Sequence, residues 1–234
     1  MNPITKYPWF SIIFAIIAIV DIVGIVAYPQ VRLVSKGMIM ASLLALYILQ
    51  AKRQEHSVLL GIIFALLGDA FLLFTTDDFF LIGLGCFLIM QLCYSTTFWK
   101  KRRIPRTRDK VIVGLIALLP IAFLAGSWSQ LAGMQVAVTI YAAAITTMLI
   151  TAYLRHPRLG GYWFVLVGSV LFVMSDMMLA IDKFVLELSQ GGLAVMITYM
   201  AAQYLIITGL LMDQEARVNK QKAEAQGTFS RHKG

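Results

Sequence analysis

Apolar runs of about 17–25 residues, the length that crosses a bilayer, follow one another along almost the whole chain. Lipid offers no hydrogen bonds, so a run of this kind satisfies its backbone only by forming a helix. Eight can be counted, near 9–28, 32–50, 58–76, 79–99, 111–127, 132–154, 162–183 and 192–212. The breaks between them carry helix stops and turn formers: Pro29, the Asp77-Asp78 pair, Pro105, Gly126 with Gly133, Pro157 and Gly191-Gly192. They leave no room for a soluble domain. The expected fold is all-α, a polytopic membrane bundle of eight transmembrane helices over residues 1–213. A polar, Lys-rich segment, 214–234, follows as a solvated or frayed tail.

Composition agrees with this class. Hydrophobic residues make up 59% and charged residues 14%, far from the balance of a soluble domain. The net charge of +8 comes from short basic clusters between apolar runs, a topology and lipid-headgroup pattern rather than a nucleic-acid face. The run from Trp9 to Tyr28 is too long for the core of a secretory signal, and no small-x-small cleavage site follows. It reads as the first span.

Orientation follows from lysine and arginine in the short loops. The connection KKRRIPRTRDK carries seven, and Lys52, Arg53, Arg155 and Arg158 occupy the other connections on that side. The alternate loops hold almost none, only Arg32 and Lys183. Both termini are therefore expected in the cytoplasm, in a multi-pass protein of a bacterial inner membrane. Spans 3 and 7 share a small residue, then Asp, then Leu three further on (Gly68-Asp69…Leu72 and Ser175-Asp176…Leu179), a weak sign of two four-helix halves.

Two of these runs contain acids where hydrocarbon should be: Asp69 in GIIFALLGDAFLLF and Asp176 in FVLVGSVLFVMSDMMLAI. A carboxylate there costs about 2.5–3.5 kcal/mol on insertion scales, so it marks a function or a partner. Counting from the outer ends of their spans places Asp21, Lys36, Asp69, Asp176 and Tyr199 in one layer, roughly 6–11 Å below the hydrocarbon edge. They are expected to face a common cavity. Helical spacing points the same way. Gly83, Phe87, Gln91, Tyr94 and Phe98 form one stripe; Tyr199 and Gln203 share a face; Gly168, Phe172, Asp176 and Lys183 share another, with Ser175 beside them. Gly61, Ala65 and Gly68 give span 3 a small-residue edge suited to close packing.

Soluble-enzyme signatures are absent: there is no nucleophile elbow, Gly-rich phosphate loop or HExxH. His56, His156 and His232 lie in connections or the tail, which argues against a histidine metal site among the acids. Cys86 and Cys93 sit two helical turns apart, too far for a disulfide. What remains is a carboxylate pair with a nearby amine. Two buried carboxylates do not both ionise cheaply, and one protonated acid beside one ionised partner is the arrangement general acid–base hydrolysis needs. The bland alternative makes Asp69 and Lys36 a structural ion pair, with Asp176 bonded to Ser175 and Tyr199. A further alternative is a proton-coupled transporter or lipid-binding membrane protein using the same acids as a relay.

The ordered motifs resemble the YhhN/TMEM86 family of eight-span membrane proteins. They are Ser35-Lys36 opening span 2, LLGDAFLL, GLGCFLIMQLCY, GSVLFVMSDMMLAIDKF and YMAAQYLI, together covering about 30 to 210. The resemblance implies a lysoplasmalogenase-like ether hydrolase. Its substrate would be a lysophospholipid whose vinyl ether is hydrolysed to a fatty aldehyde and a glycerophospho-alcohol. Acid cleavage of a vinyl ether protonates carbon, forms an oxocarbenium ion and adds water, logic shared with two-carboxylate glycoside hydrolysis. It calls for no metal, cofactor or covalent intermediate. Asp69 and Asp176 are the expected acid–base pair, supported by Lys36, Asp21, Gln91, Tyr94, Ser175, Tyr199 and Gln203. Family members often carry Pro where this chain has Gly37, and His where it has Gln91, which holds a hydrogen bond but shuttles no proton at neutral pH.

Overall fold

The computed structural model describes residues 8–74, 76–131 and 133–231. His232 and the last residues of the 214–234 segment therefore lie outside the described residues. Among the described residues, eight α-helices run in sequence: α1 (Pro8–Val26), α2 (Pro29–Gln50), α3 (His56–Phe71), α4 (Asp77–Trp99), α5 (Thr107–Ser127), α6 (Gln135–Tyr153), α7 (Tyr162–Phe184) and α8 (Gly191–Arg231). A single 3-10 turn, Trp128–Gln130, follows α5. The chain is an all-α membrane bundle. Seven helices are long and apolar enough to span a bilayer, while α3, at 16 residues, is shorter.

The shortness of α3 departs from the run expected at 58–76. The Leu72 amide turns back to the Gly68 carbonyl, 3.0 Å away, and closes the helix. Gly83 on α4 leaves room for the Leu72 side chain; a methyl carbon at Gly83 would lie 2.9 Å from it. Thr76 then occupies the position just before α4, whose first turn carries Asp77 and Asp78. Acids there complement the positive end of the helix dipole.

Neighbour packs on neighbour around the bundle in the order α1, α2, α3, α4, α6, α7, α8, and α8 closes the circuit against α1 and α2. The two Asp-bearing helices, α3 and α7, each pack most extensively on the helix that follows. The stripe Gly83, Phe87, Gln91, Tyr94 and Phe98 is buried, as its spacing predicts, and so are Gly61, Ala65 and Gly68. Helix α5 stands apart. It packs mainly on α6, and only 6% of its apolar window is buried. Its exposed Val111, Leu115 and Leu118 suit contact with lipid.

Helix α8 is the spine. It reaches α1 through Ser11 and Tyr204 (2.7 Å), α4 through Tyr94 and Gln203 (3.1 Å), and α3 through Tyr199 and Asp69 (2.7 Å). The backbone does not break at the 213/214 boundary. It continues as helix to Arg231, so residues 214–231 are helical rather than frayed.

The ends bearing the basic loops are tied by ion pairs. Asp109 accepts from Arg103, from the Arg106 amide at 2.6 Å and from the Tyr153 hydroxyl at 2.7 Å, joining the 100–106 connection to α6. Lys101 pairs with Glu55 at 3.0 Å, while burial pushes the Lys101 amine below its ordinary value. Arg155 and Asp213 form a fully buried pair, and Asp213 also accepts the Gly161 amide at 2.7 Å. At that point α7 and α8 touch backbone to backbone: a methyl carbon at Gly161 would lie 1.8 Å from the Gly209 carbonyl oxygen.

Two stability predictions follow from this end of the bundle. Gly161→Ala must push α7 off α8, and its melting temperature in detergent should fall clearly below wild type; an unchanged value would show that the contact yields. Asp213→Ala strands Arg155 without its counter-charge and should cost about 3–5 kcal/mol, with much of that recovered in the double variant Arg155→Met/Asp213→Leu. Chemical unfolding of the three proteins checks the second expectation.

Candidate functional site

The acid of α3 lies only two residues before its helix ends at Phe71, so Asp69 sits beside an opening rather than deep inside a column of side chains. Its carboxylate is 2% exposed. One oxygen accepts the Tyr199 hydroxyl at 2.7 Å, and the other lies 3.9 Å from the Lys36 amine. The Tyr199 ring is held between Phe87 and Phe172, at centroid distances of 5.8 and 5.9 Å. Three helices, α2, α3 and α8, thus fix one carboxylate through a cation and a hydroxyl. A charge in so dry a place is tolerable only with partners of this kind.

Asp176 on α7 is held differently. The hydroxyl of Tyr141 on α6 donates to it, and it has no cation partner among the described ion pairs. It is half-buried, open to the spaces on either side of it.

A cavity of about 510 Å³ brings both acids together, with Lys36, Ser175 and Tyr199 in its wall. Its rim adds Arg32, Asp182, Lys183 and Glu187, and its hydrophobic wall includes Leu72, Phe74, Phe80 and Phe87. The Nε of Arg32 is buried without a hydrogen-bond partner. Lys183 reaches Asp77 at 2.8 Å and crosses the Phe80 ring at 5.2 Å. A space of this kind, apolar with a few convergent charged groups, has the make-up of a small-molecule site. Its cations suit a phosphate and its phenyl rings suit hydrocarbon.

Of the residues expected in one layer, Lys36, Asp69, Asp176 and Tyr199 do line one cavity. Asp21 does not. It lies behind the wall, fully buried, where Ser35 Oγ donates to it at 2.7 Å and its other oxygen has no partner. Its partner Ser35 is the chain neighbour of Lys36. Tyr94 and Gln203 also lie outside the cavity, bonded to each other at 3.1 Å, with the Gln203 amide against the Met90 sulfur. Gln91 sits beside Tyr141, fully buried, yet neither its oxygen nor its nitrogen completes a hydrogen bond to protein. Ser175 lines the cavity but donates to the Val195 carbonyl at 2.9 Å, so it ties α7 to α8. The contacts of Ser175 and Tyr199 with Asp176 that the purely structural alternative supposed are replaced by one from Tyr141, because both hydroxyls are engaged elsewhere.

Tyr141 and Arg32 are the site residues the sequence patterns pass over. Arg32 reads as a loop charge at the start of span 2. Span 6 carries no charged residue to draw attention, but Tyr141 lies six residues into α6, at the depth that located Asp69 and Asp176. Counted from the expected start of span 6 at 132, Tyr141 falls about 13.5 Å down and below that layer; only the later start of α6 at Gln135 brings it level.

Known proteins with similar sequences can now be set beside this geometry. The chain is 27% identical over 163 residues to a Bos taurus protein named lysoplasmalogenase TMEM86A, covering 68% of this chain and 66% of that one. It is 31% identical over 144 residues to a Mycobacterium bovis protein named lysoplasmalogenase, covering 60% and 54% of the two chains. A Sus scrofa protein named lysoplasmalogenase TMEM86B is 30% identical over 152 residues, 65% and 62% of the respective lengths. The matches span somewhat under two thirds of these relatives. No solved structure matches. The model of the YhhN family matches residues 31–210, a range that takes in every residue lining the cavity, and the chain belongs to that family.

Proposed function

We propose that this protein hydrolyses the vinyl ether of a single-chain glycerophospholipid, a lysoplasmalogen, releasing a fatty aldehyde and a glycerophospho-alcohol. The observation that carries the reading is one cavity holding two carboxylates, Asp69 and Asp176, with cations beside them. The names of the relatives support it. The basic loops put this cavity toward the outer leaflet, by the same charge count that places both termini in the cytoplasm.

The chemistry uses the chain's own groups. A carboxylic acid delivers a proton to the ether's outer vinyl carbon, and the π pair forms the new C–H bond. The carbon next to oxygen becomes an oxocarbenium centre, which an ionised carboxylate stabilises. Water adds there and gives its proton to a carboxylate. The resulting hemiacetal releases the glycerol oxygen as a hydroxyl, leaving the aldehyde. One water is consumed and the acid is restored. Tyr199 and Lys36 hold Asp69 in place, Tyr141 holds Asp176, and Arg32 with Lys36 is placed to meet the phosphate.

Purified protein supplied with a vinyl-ether lysolipid should release aldehyde. Asp69→Asn and Asp176→Asn should each lower kcat by about 100-fold or more, the usual scale for losing a general acid or base. Aldehyde release unchanged in both variants would sink the assignment of the pair; no release from wild type, with proton-dependent uptake into vesicles, would favour transport instead. Arg32→Gln should raise KM several-fold while leaving kcat near wild type, because the phosphate lies away from the bond that breaks. An equal fall in kcat would show that Arg32 serves the reaction itself.

A further inference from the structure

A second, smaller space opens directly behind Asp176. It encloses about 80 Å³ between α5, α6 and α7, and its walls include Pro120 and Phe123, Ala142 and Ile145, and Met177 and Ala180. Three residues, Phe80, Asp176 and Leu179, line both this slot and the larger cavity. Asp176 therefore stands where a wide, charged space meets a narrow, apolar one.

The slot can hold only hydrocarbon. Apart from Asp176 itself, the polar side chains in its wall are spent, the Tyr141 hydroxyl on Asp176 and the Thr146 hydroxyl on the Ala142 carbonyl at 2.6 Å. No hydroxyl there is free to meet a polar ligand, and leaving a polar ligand unsatisfied would be costly. One flank is α5, the least buried of the candidate spans, which carries Pro120 in its interior and packs mainly on α6. A chain longer than the slot can continue along that flank into the surrounding lipid.

We infer that the slot takes the first methylenes of the hydrocarbon chain of a single-chain ether lipid while its phosphate and glycerol occupy the larger cavity. The inference rests on the hydrolase reading for its chemistry but not for its geometry. In such a lipid the vinyl ether is the junction between polar and apolar parts, so it comes to rest at Asp176. The carbon that must accept the proton lies on the chain side of the ether, toward the slot. Asp176 thereby becomes the proton donor. Asp69, facing the Lys36 amine and the Tyr199 hydroxyl, becomes the carboxylate that is ionised beside the oxocarbenium centre and takes the proton of the attacking water. When the hemiacetal breaks down, Asp69 gives that proton to the leaving glycerol oxygen and Asp176 takes the hemiacetal hydroxyl proton, which restores both groups.

Two measurements test this together. In the first, Ala142→Trp and Ala180→Trp fill the slot, and each is assayed with a lysolipid bearing a sixteen-carbon alkenyl chain and with one bearing a four-carbon chain. The ratio of long-chain to short-chain kcat/KM should fall at least about tenfold, since each buried methylene contributes several-fold in binding. An unchanged ratio in folded variants overturns the slot. In the second, wild-type protein is irradiated with a lysophosphocholine carrying a diazirine near the head of its chain, and the labelled peptides are mapped. Label on the segments around Pro120, Ala142 and Ala180 supports the slot; label confined to α1, α2 or α8 overturns it. Labelling needs no turnover, so slot labelling without aldehyde release would leave the chain site standing and remove the hydrolase reading.

Discussion

The contact on which the bundle turns is the hydrogen bond from Tyr199 to Asp69, with Lys36 on the far side of the same carboxylate. A carboxylate in hydrocarbon is tolerated only when its partners come with it, and here each partner belongs to a different helix. Satisfying Asp69 therefore also fixes where α2, α3 and α8 stand relative to one another. Helix α8 repeats the device along its length, through Gln203 to α4, Tyr204 to α1 and Asp213 to Arg155. Between lipid-facing helices the hydrophobic effect has little to say about which surfaces meet. Polar contacts of this kind, together with the bare backbone approach at Gly161 and Gly209, supply that specificity.

The two acids share one cavity but not one environment. Asp69 has a cation and a hydroxyl; Asp176 has a hydroxyl and an apolar space behind it. A pair of identical groups is thus made inequivalent by what surrounds them, the condition for one to give a proton while the other keeps its charge. The difference comes from position in the bundle. Asp69 faces the cationic start of α2, whereas Asp176 faces the weakly packed α5–α6 side.

The all-α, polytopic architecture is legible in the sequence because bilayer thickness makes long apolar runs into helices. Depth is legible too: residue counting from the loops brings Lys36, Asp69, Asp176 and Tyr199 to one level, and one cavity holds all four. Rotation about each helix is less so. Asp21 shares that level but turns toward Ser35, and Tyr94 turns toward Gln203, because a helix face is decided by its neighbours rather than by its own period. Tyr141 escaped notice because a neutral span offers no anomaly. The early end of α3 escaped because Leu72 and Phe74 are as apolar as the residues before them; only the space left by Gly83 shows why the chain turns there.

That early end also acts on the membrane. At about 1.5 Å per residue, sixteen residues make a helix of about 24 Å, several ångströms less than a typical hydrocarbon core of about 30 Å. A mismatch of this sign draws the neighbouring leaflet inward. Lipids beside α3 would therefore ride lower than elsewhere around the protein, with their headgroups and accompanying water brought toward the level of Asp69. A short helix would in this way thin the barrier just beside the cavity that holds Asp69 and Asp176.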